Sequence, residues 1–258
     1  VTPAGFYAWL HRPESARAKQ DRVLTAEITR LFFRHQERYG SPRLHQALVN
    51  AGWTVSRRRV ARLLRAAGLR AKAVRGYRAK ATIHRLYARH PNRLWETSVT
   101  GPNQVWVGDL TFLKVGAGWR YLAIVMDPYT RRILGWSLTR RRTAAVTSAV
   151  LAKVAGRHPA RGVIFHSDRG SEYMGAAFCA CVAGLGMQQS ASVRGPSDNA
   201  HAESFFHSLK AELTRGVTFA SEHALRTELH RYIRYYNTVR LHSGLAYLSP
   251  LAFERHVA

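Results

Sequence analysis

Acidic residues are scarce in this chain. Fifteen Asp and Glu stand against forty Lys and Arg among 258 residues, a formal net charge of +25. A soluble enzyme of small neutral molecules has no need of that excess. A polyanion explains it directly, because each phosphate neutralised releases condensed counterions. An anionic membrane surface is the rival on charge alone. Long hydrophobic runs are also missing: no stretch approaches the roughly 18–20 apolar residues of a membrane span. The opening Val1-Thr2-Pro3-Ala4-Gly5 leads into Trp9-Leu10-His11-Arg12 without the apolar run of a signal peptide. Cysteine is limited to Cys179 and Cys181, too few for a disulfide framework and consistent with a reducing compartment. Two residues apart on an expected helix, they do not face each other, and no second pair completes a zinc site. They read as small core residues. No glycine-rich phosphate loop of the nucleotide-triphosphatase type is present, so ATP is not implied. Apolar residues, at 46%, are plentiful enough to build a core, and the length suits one or two domains.

The charge is uneven. Residues 1–98 carry +16 and residues 99–258 carry +9, which makes the first part the denser electrostatic footprint. That part reads as helical. Asp21 to Arg38 places Val23, Leu24, Ile28, Leu31 and Phe32 at helix spacing. Tyr39-Gly40-Ser41-Pro42 breaks it and opens another helix, with Ser41 as cap and Pro42 in first position. Leu44, Leu48 and Val49 give this helix an apolar side. Ala51-Gly52-Trp53 turns the chain, and Ser56 caps a further helix with Val60, Leu63, Leu64 and Ala67 inward and Gly68 as its stop. Two short helices about a glycine turn read as helix-turn-helix, or else as an ordinary basic helical hairpin. The second carries Arg57, Arg58, Arg59, Arg62 and Arg65, the candidate DNA contacts. A helical DNA-binding region is therefore expected over 1–80 and a basic linker over 81–100. Tyr77, Tyr87 and Trp95 are interleaved with basic residues through 70–98, which fits a linker along a phosphate backbone and a solvated one equally.

From residue 101 the period changes. Val105–Phe112, Trp119–Met126 and Arg132–Thr139 read as strands joined by short links, an antiparallel meander. Then come a helix over Thr143–Val154, a strand over Gly162–His166, a helix over Glu172–Ala183 and a strand over Met187–Ser192. A helix over Asp198–Leu213 and a last one over Ser221–Tyr236 follow. The order predicts an α/β mixed five-stranded sheet flanked by helices over 101–258.

Three acids stand out. Asp109 lies inside an apolar strand, where an acid is rarely found unless paired or capping a turn. Asp168 directly follows an apolar strand, where open sheets place ligands. Glu203 sits on a helix that Phe205, Phe206 and Leu209 pack down; alone it reads as a solvated glutamate. Two aspartates and a glutamate are hard oxygen ligands suited to Mg²⁺ or Mn²⁺. Packed together without a cation they would raise one another's pKa.

The residues around these acids carry a specific resemblance. Trp106-Val107-Gly108-Asp109-Leu110-Thr111, His166-Ser167-Asp168-Arg169-Gly170-Ser171-Glu172-Tyr173 and Asp198-Asn199-Ala200-His201-Ala202-Glu203-Ser204-Phe205-Phe206 with Leu209-Lys210 form three ordered blocks. Tyr235-Tyr236-Asn237, Arg240-Leu241-His242 and Tyr247-Leu248-Ser249-Pro250 form a fourth. Upstream stand Tyr39-Gly40-Ser41-Pro42-Arg43 and Val55-Ser56-Arg57-Arg58-Arg59-Val60. The chain resembles, over nearly its whole length, the larger-frame product of an IS3-family insertion sequence. Such a product is a DDE transposase with a retroviral-integrase-like core.

The resemblance implies an RNase H-like core and a triad of Asp109, Asp168 and Glu203 holding Mg²⁺ or Mn²⁺, two ions in the usual arrangement. It implies Mg-dependent DNA strand cleavage and transfer at the element's ends, in which water or a DNA 3′-hydroxyl attacks and no protein nucleophile is needed. Lys210, on roughly the Glu203 face of its helix, matches a lysine that contacts substrate DNA. Asp198 and Asn199 would order the loop or cap the glutamate helix, and His166 and His201 would hydrogen-bond around the acids. The implied partners are double-stranded DNA at terminal inverted repeats and target, further copies of the chain, and an upstream-frame helix-turn-helix partner or fusion. No membrane is implied, and the expected location is the cytoplasm, at the nucleoid when DNA is bound. Two departures are visible. The interval between Asp168 and Glu203 is one residue shorter than usual, with the shortening expected in Gly195-Pro196-Ser197. Glu172 stands where glutamine is usual. The alternatives are a non-catalytic DNA-binding or regulatory protein and a structure-directed nuclease on the same core.

Overall fold

The computed structural model describes residues 2–11, 13–72, 90–193 and 199–257. The chain divides into two compact units, Val1–Ala73 and Val74–Ala258.

The first unit is helical: α1 (Pro3–Leu10), α2 (Ala16–Arg34), α3 (Ser41–Asn50) and α4 (Arg57–Ala66). The helix expected from Asp21 begins earlier, because the Ser15 hydroxyl accepts the Ala18 amide at 3.2 Å and supplies the N-cap. Leu24, Ile28, Leu31 and Phe32 bury one stripe, while Val23 falls outside it and is exposed. Gly40, not Ser41, is the N-cap of α3, and Ser41 and Pro42 lie in its first turn. Leu44 and Leu48 are buried there; Val49 is exposed. Gly52 turns the chain at φ +86°, a conformation that costs glycine nothing. Ser56 caps α4 by accepting the Arg59 amide at 3.2 Å. Val60, Leu63 and Leu64 close the core, and Ala67, expected inside, is exposed past the last helical turn. Asp21 of α2 accepts from Arg59 Nε at 2.7 Å and Arg62 Nη2 at 2.5 Å, clamping α2 to α4. α1, whose residues the sequence left unassigned, is short and exposes Phe6, Tyr7 and Leu10.

The second unit is built on a five-stranded sheet in the order β3-β2-β1-β4-β5. The strands are β1 (Val105–Val115), β2 (Gly118–Met126), β3 (Ile133–Thr139), β4 (Ile164–Ser167) and β5 (Gln188–Ala191). β1, β2 and β3 pair antiparallel, and β4 and β5 are parallel to β1. This is the mixed sheet of an RNase H-like core. One face packs Trp106, Ala123, Val125 and Phe165 against α5 (Ala144–Ala155) and α7 (Ala176–Gly184). The other packs Val105, Val107, Ile124 and Met126 against α8 (Ala200–Leu209) and α9 (Glu222–Thr238). The single helix expected over Glu172–Ala183 is two, since Gly175 is extended and separates α6 (Ser171–Met174) from α7. The helix expected to reach Leu213 loosens into a π turn over Lys210–Thr214.

Within that turn Glu212 takes part in a buried ion pair. Arg240 Nη2 donates to Glu212 at 2.7 Å and to Ser208 Oγ at 3.1 Å, and the Tyr232 hydroxyl donates to Glu212 at 3.0 Å. Asn237 exchanges two hydrogen bonds with the Ile133 backbone, at 3.0 and 2.9 Å, joining the end of α9 to β3. α10 (Pro250–Val257), also unassigned from sequence, packs on α9. Its Glu254 pairs with Arg132.

Candidate active site

β1 and β4 run parallel, and their register ends with Val107 opposite His166. Asp109 and Asp168 stand two residues further along these neighbouring strands. Both therefore emerge at the carboxyl end of the parallel pair, where open sheets bind ligands. Alternation along β1 decides which way Asp109 goes: Val105 and Val107 belong to the α8/α9 face, and a period of two puts Asp109 on the same face. Gly108 between them is required by packing, since a Cβ there would lie 2.4 Å from the Phe165 ring and 3.2 Å from Tyr173. Asp109 Oδ1 accepts the Leu110 amide at 2.7 Å, and Asp168 Oδ1 accepts the Gly170 amide at 3.0 Å.

Glu203 comes from α8. Ala202, Phe205, Phe206 and Leu209 anchor that helix in the core and leave Glu203 half-buried on its open side. Asn199 ties the helix start to β1: it occupies the N-cap position but donates its Nδ2 to the Gly108 carbonyl at 3.2 Å instead of capping the helix with its side chain. A single hydrogen bond thus fixes the Glu203 helix to the residue before Asp109.

The electrostatics follow from this crowding. Loss of water, then the charge of Asp168, pushes the Asp109 carboxyl up to about 8; the Leu110 amide pulls the other way, and Glu203 and Glu172 add to the rise. Burial also raises Glu203. Lys210, at the end of α8, is lowered by burial while the charge of Asp109 opposes that loss, so its ammonium belongs to the same cluster. The donor chemistry of three carboxylates suits a hard divalent cation. Among the described residues, however, no three His, Cys, Asp or Glu side chains converge on one point as the ligands of a metal do.

Two members of the cluster carried no site role in the sequence reading. Glu172 is buried at 3% exposure, with Arg142 Nε at 3.5 Å. The Tyr173 hydroxyl is buried with no hydrogen-bond partner among the described residues. Loss of water raises it well above its ordinary value, helped by Asp109, Asp168 and Glu172. The signals were present: Glu172 is the visible departure from glutamine, and Arg142 ends an arginine run after β3.

The remaining expected residues disperse. His166 is fully buried in β4, its Nδ1 2.9 Å from Ser190 Oγ. His201 stands exposed on α8. Asp198 lies outside the described residues, as does the loop expected to absorb the shortened interval. Arg57, Arg58 and Arg65 are exposed on α4, whereas Arg59 and Arg62 are engaged with Asp21.

An integrase core domain family matches residues 99–197, a second integrase core family residues 203–257, and an HTH-like domain family residues 19–77. A transposase for insertion sequence element IS904 from Lactococcus lactis is 35% identical over 96% of this chain and 99% of its own length. Transposase InsF for insertion sequence IS3A from Escherichia coli is 38% identical over 98% of this chain and 90% of its own. The chain belongs to the IS3-family transposases. Another relative, a 31 kDa protein of insertion element IS600 from Shigella sonnei, is 36% identical over 98% of this chain. Within this IS3-family transposase the three acids fall on both sides of the junction between the two integrase-core matches, Asp109 and Asp168 before it and Glu203 after it. Asn199, in the interval between the two matches, bonds back to Gly108 in the first. Among the described residues no helix is long and apolar enough to cross a membrane.

Proposed function

We propose that this IS3-family chain cleaves and joins DNA strands at the ends of its insertion sequence, using Asp109, Asp168 and Glu203 as the catalytic acids. What chiefly supports this is the state of Asp109. Its carboxyl is held up to about 8 by burial and by three other acids, Asp168, Glu203 and Glu172, a perturbation of the kind that clusters at functional sites. One or two bound Mg²⁺ or Mn²⁺ ions would offset the repulsion and supply Lewis-acid activation of the attacking hydroxyl and leaving oxygen. Asp109, Asp168 and Glu203 are the residues that would hold such a cation.

The chain's own groups do the rest. Asn199 holds the Glu203 helix against the Asp109 strand. Lys210 offers its ammonium to a DNA phosphate. Arg57, Arg58 and Arg65 present charge to the duplex backbone from α4, with residues 1–80 as the DNA-binding region, 81–100 as the basic linker and 101–258 as the catalytic core. Further copies of the chain bridge the two element ends.

The test is strand joining on a duplex carrying the element's terminal repeat, with Mg²⁺ present or chelated. Glu203→Gln should lower joining by at least ~100-fold while leaving DNA affinity intact. Wild-type protein that binds the repeat without metal-dependent cleavage would favour the regulatory reading. Cleavage without joining would favour a nuclease.

A further inference from the structure

The helical layer of α5 and α7 covers one face of the sheet only as far as the Leu110–Ala123 pair. Beyond it the β1–β2 hairpin continues through Phe112↔Tyr121 and Lys114↔Trp119. These four side chains share the face that α5 and α7 cover lower down. Phe112 and Trp119 are 55% and 51% exposed, and their rings meet edge-to-face with centroids 5.1 Å apart. Lys210 Nζ lies 4.9 Å from the centre of the Phe112 ring, although its helix belongs to the opposite layer. It gets there at the edge of β1 that β4, paired only through Val107, leaves open.

Two large rings bared on a projecting hairpin are a liability to a protein that has no use for them. Here they sit beside two lysines, with Trp119 further out opposite Lys114. Lys210 lies at the Phe112 ring and within the charge of Asp109. Phe112, on the sheet face opposite Asp109, is three residues from it along β1. At about 3.4 Å per residue that is roughly 10 Å, the length of about three nucleotides of one DNA strand. Cations to hold a backbone beside aromatic rings to hold bases is the combination that binds unpaired nucleic acid. A ring can stack only on a base whose face is open, which a paired base inside a duplex does not offer.

We infer that Phe112 and Trp119 form a stacking platform for a terminal or unpaired DNA base next to the phosphate at which the acids act. This rests on the strand-transfer reading and adds to it: the site takes a frayed end, not an intact duplex. The chemistry selects for an exposed base face and not for a base identity.

The probe is 2-aminopurine, placed at the terminal position or at an interior paired position of the terminal-repeat duplex, with the full chain and with metal withheld. Wild-type protein should quench the terminal probe and leave the interior probe unchanged. Trp119→Leu and Phe112→Leu should each weaken binding to a frayed-end duplex by roughly five- to hundredfold. They should leave the salt dependence unchanged, because no cation is lost, and Trp119→Phe should restore quenching. Thermal melts matching wild type will show that the variants are folded, as expected for exposed positions. Leucine variants with wild-type affinity and quenching would overturn the platform, even if metal-dependent joining is intact. Variants that change only the oligomeric state would overturn it too, by assigning the face to a second copy. Terminal quenching without any joining by the wild type would keep the platform and sink the strand-transfer reading instead.

Discussion

Asp109 shows how a residue can be badly placed for stability and well placed for chemistry. In the folded chain its carboxyl keeps a proton to about pH 8; unfolded, it releases it near 3.8. Between those values the folded state holds the extra proton, so stability falls as pH rises from about 4 and the loss is complete above about 8. Asp109→Asn removes the titrating group. The metal-free variant should be more stable than wild type at pH 8.5, by on the order of 2 kcal/mol or roughly 4–8 °C for a domain of this size. The two melting curves should converge towards pH 4. A pH series of thermal melts in chelator measures this, and curves that stay parallel throughout would show that Asp109 carries no such strain. The same substitution should abolish strand joining, the exchange of activity for stability that strained sites produce.

At the scale of elements, α8 is pinned at both ends. Asn199 fixes its start to β1, and beyond its end the π turn hangs on Glu212 and Arg240, whose side chains are 2% and 5% exposed. Removing one partner of such a pair leaves a buried charge unpaired, whereas replacing both with apolar groups removes the desolvation cost as well. Arg240→Ala should therefore destabilise the core by about 3–5 kcal/mol, and the double change Arg240→Met with Glu212→Leu should recover most of it. Urea melts of the three proteins test this; a double variant as unstable as the single would mean that the pair does more than balance charge. Much at this scale was legible from local pattern. The alternation of β1, the Ser56 cap and the run into Asp168 follow from neighbouring residues. What was not legible depends on tertiary partners. Asn199 looked like a cap until Gly108 took its amide. Glu172 was visible only as a departure from glutamine, because its burial beside Arg142 depends on the fold, and nothing in Phe112 or Trp119 told a core residue from a bare one. The break at Gly175 and the π turn were missed because glycine and helix-forming residues permit several local geometries, and packing chooses among them.

For the whole molecule, the question is which of its forty basic residues bind DNA and which hold the protein together. The densest cluster, on α4, divides between the two tasks. Arg59 and Arg62 share Asp21, whose carboxyl their hydrogen bonds, Arg62's first, keep below the ordinary value, while Arg57, Arg58 and Arg65 face outward. Counterion release depends on phosphates neutralised, not on charge carried. An arginine already spent on an aspartate contributes less to the salt slope than a free one. Arg57→Ala and Arg58→Ala should each flatten the slope of log K against log salt by about 1 without moving the melting temperature. Arg59→Ala should lower the melting temperature of the helical unit and leave the slope nearly unchanged. Binding titrations at several salt concentrations, run beside thermal melts, separate the two classes. If all three variants flatten the slope equally, the Asp21 clamp opens when DNA binds, and the whole arginine face, not its free half, is the contact surface.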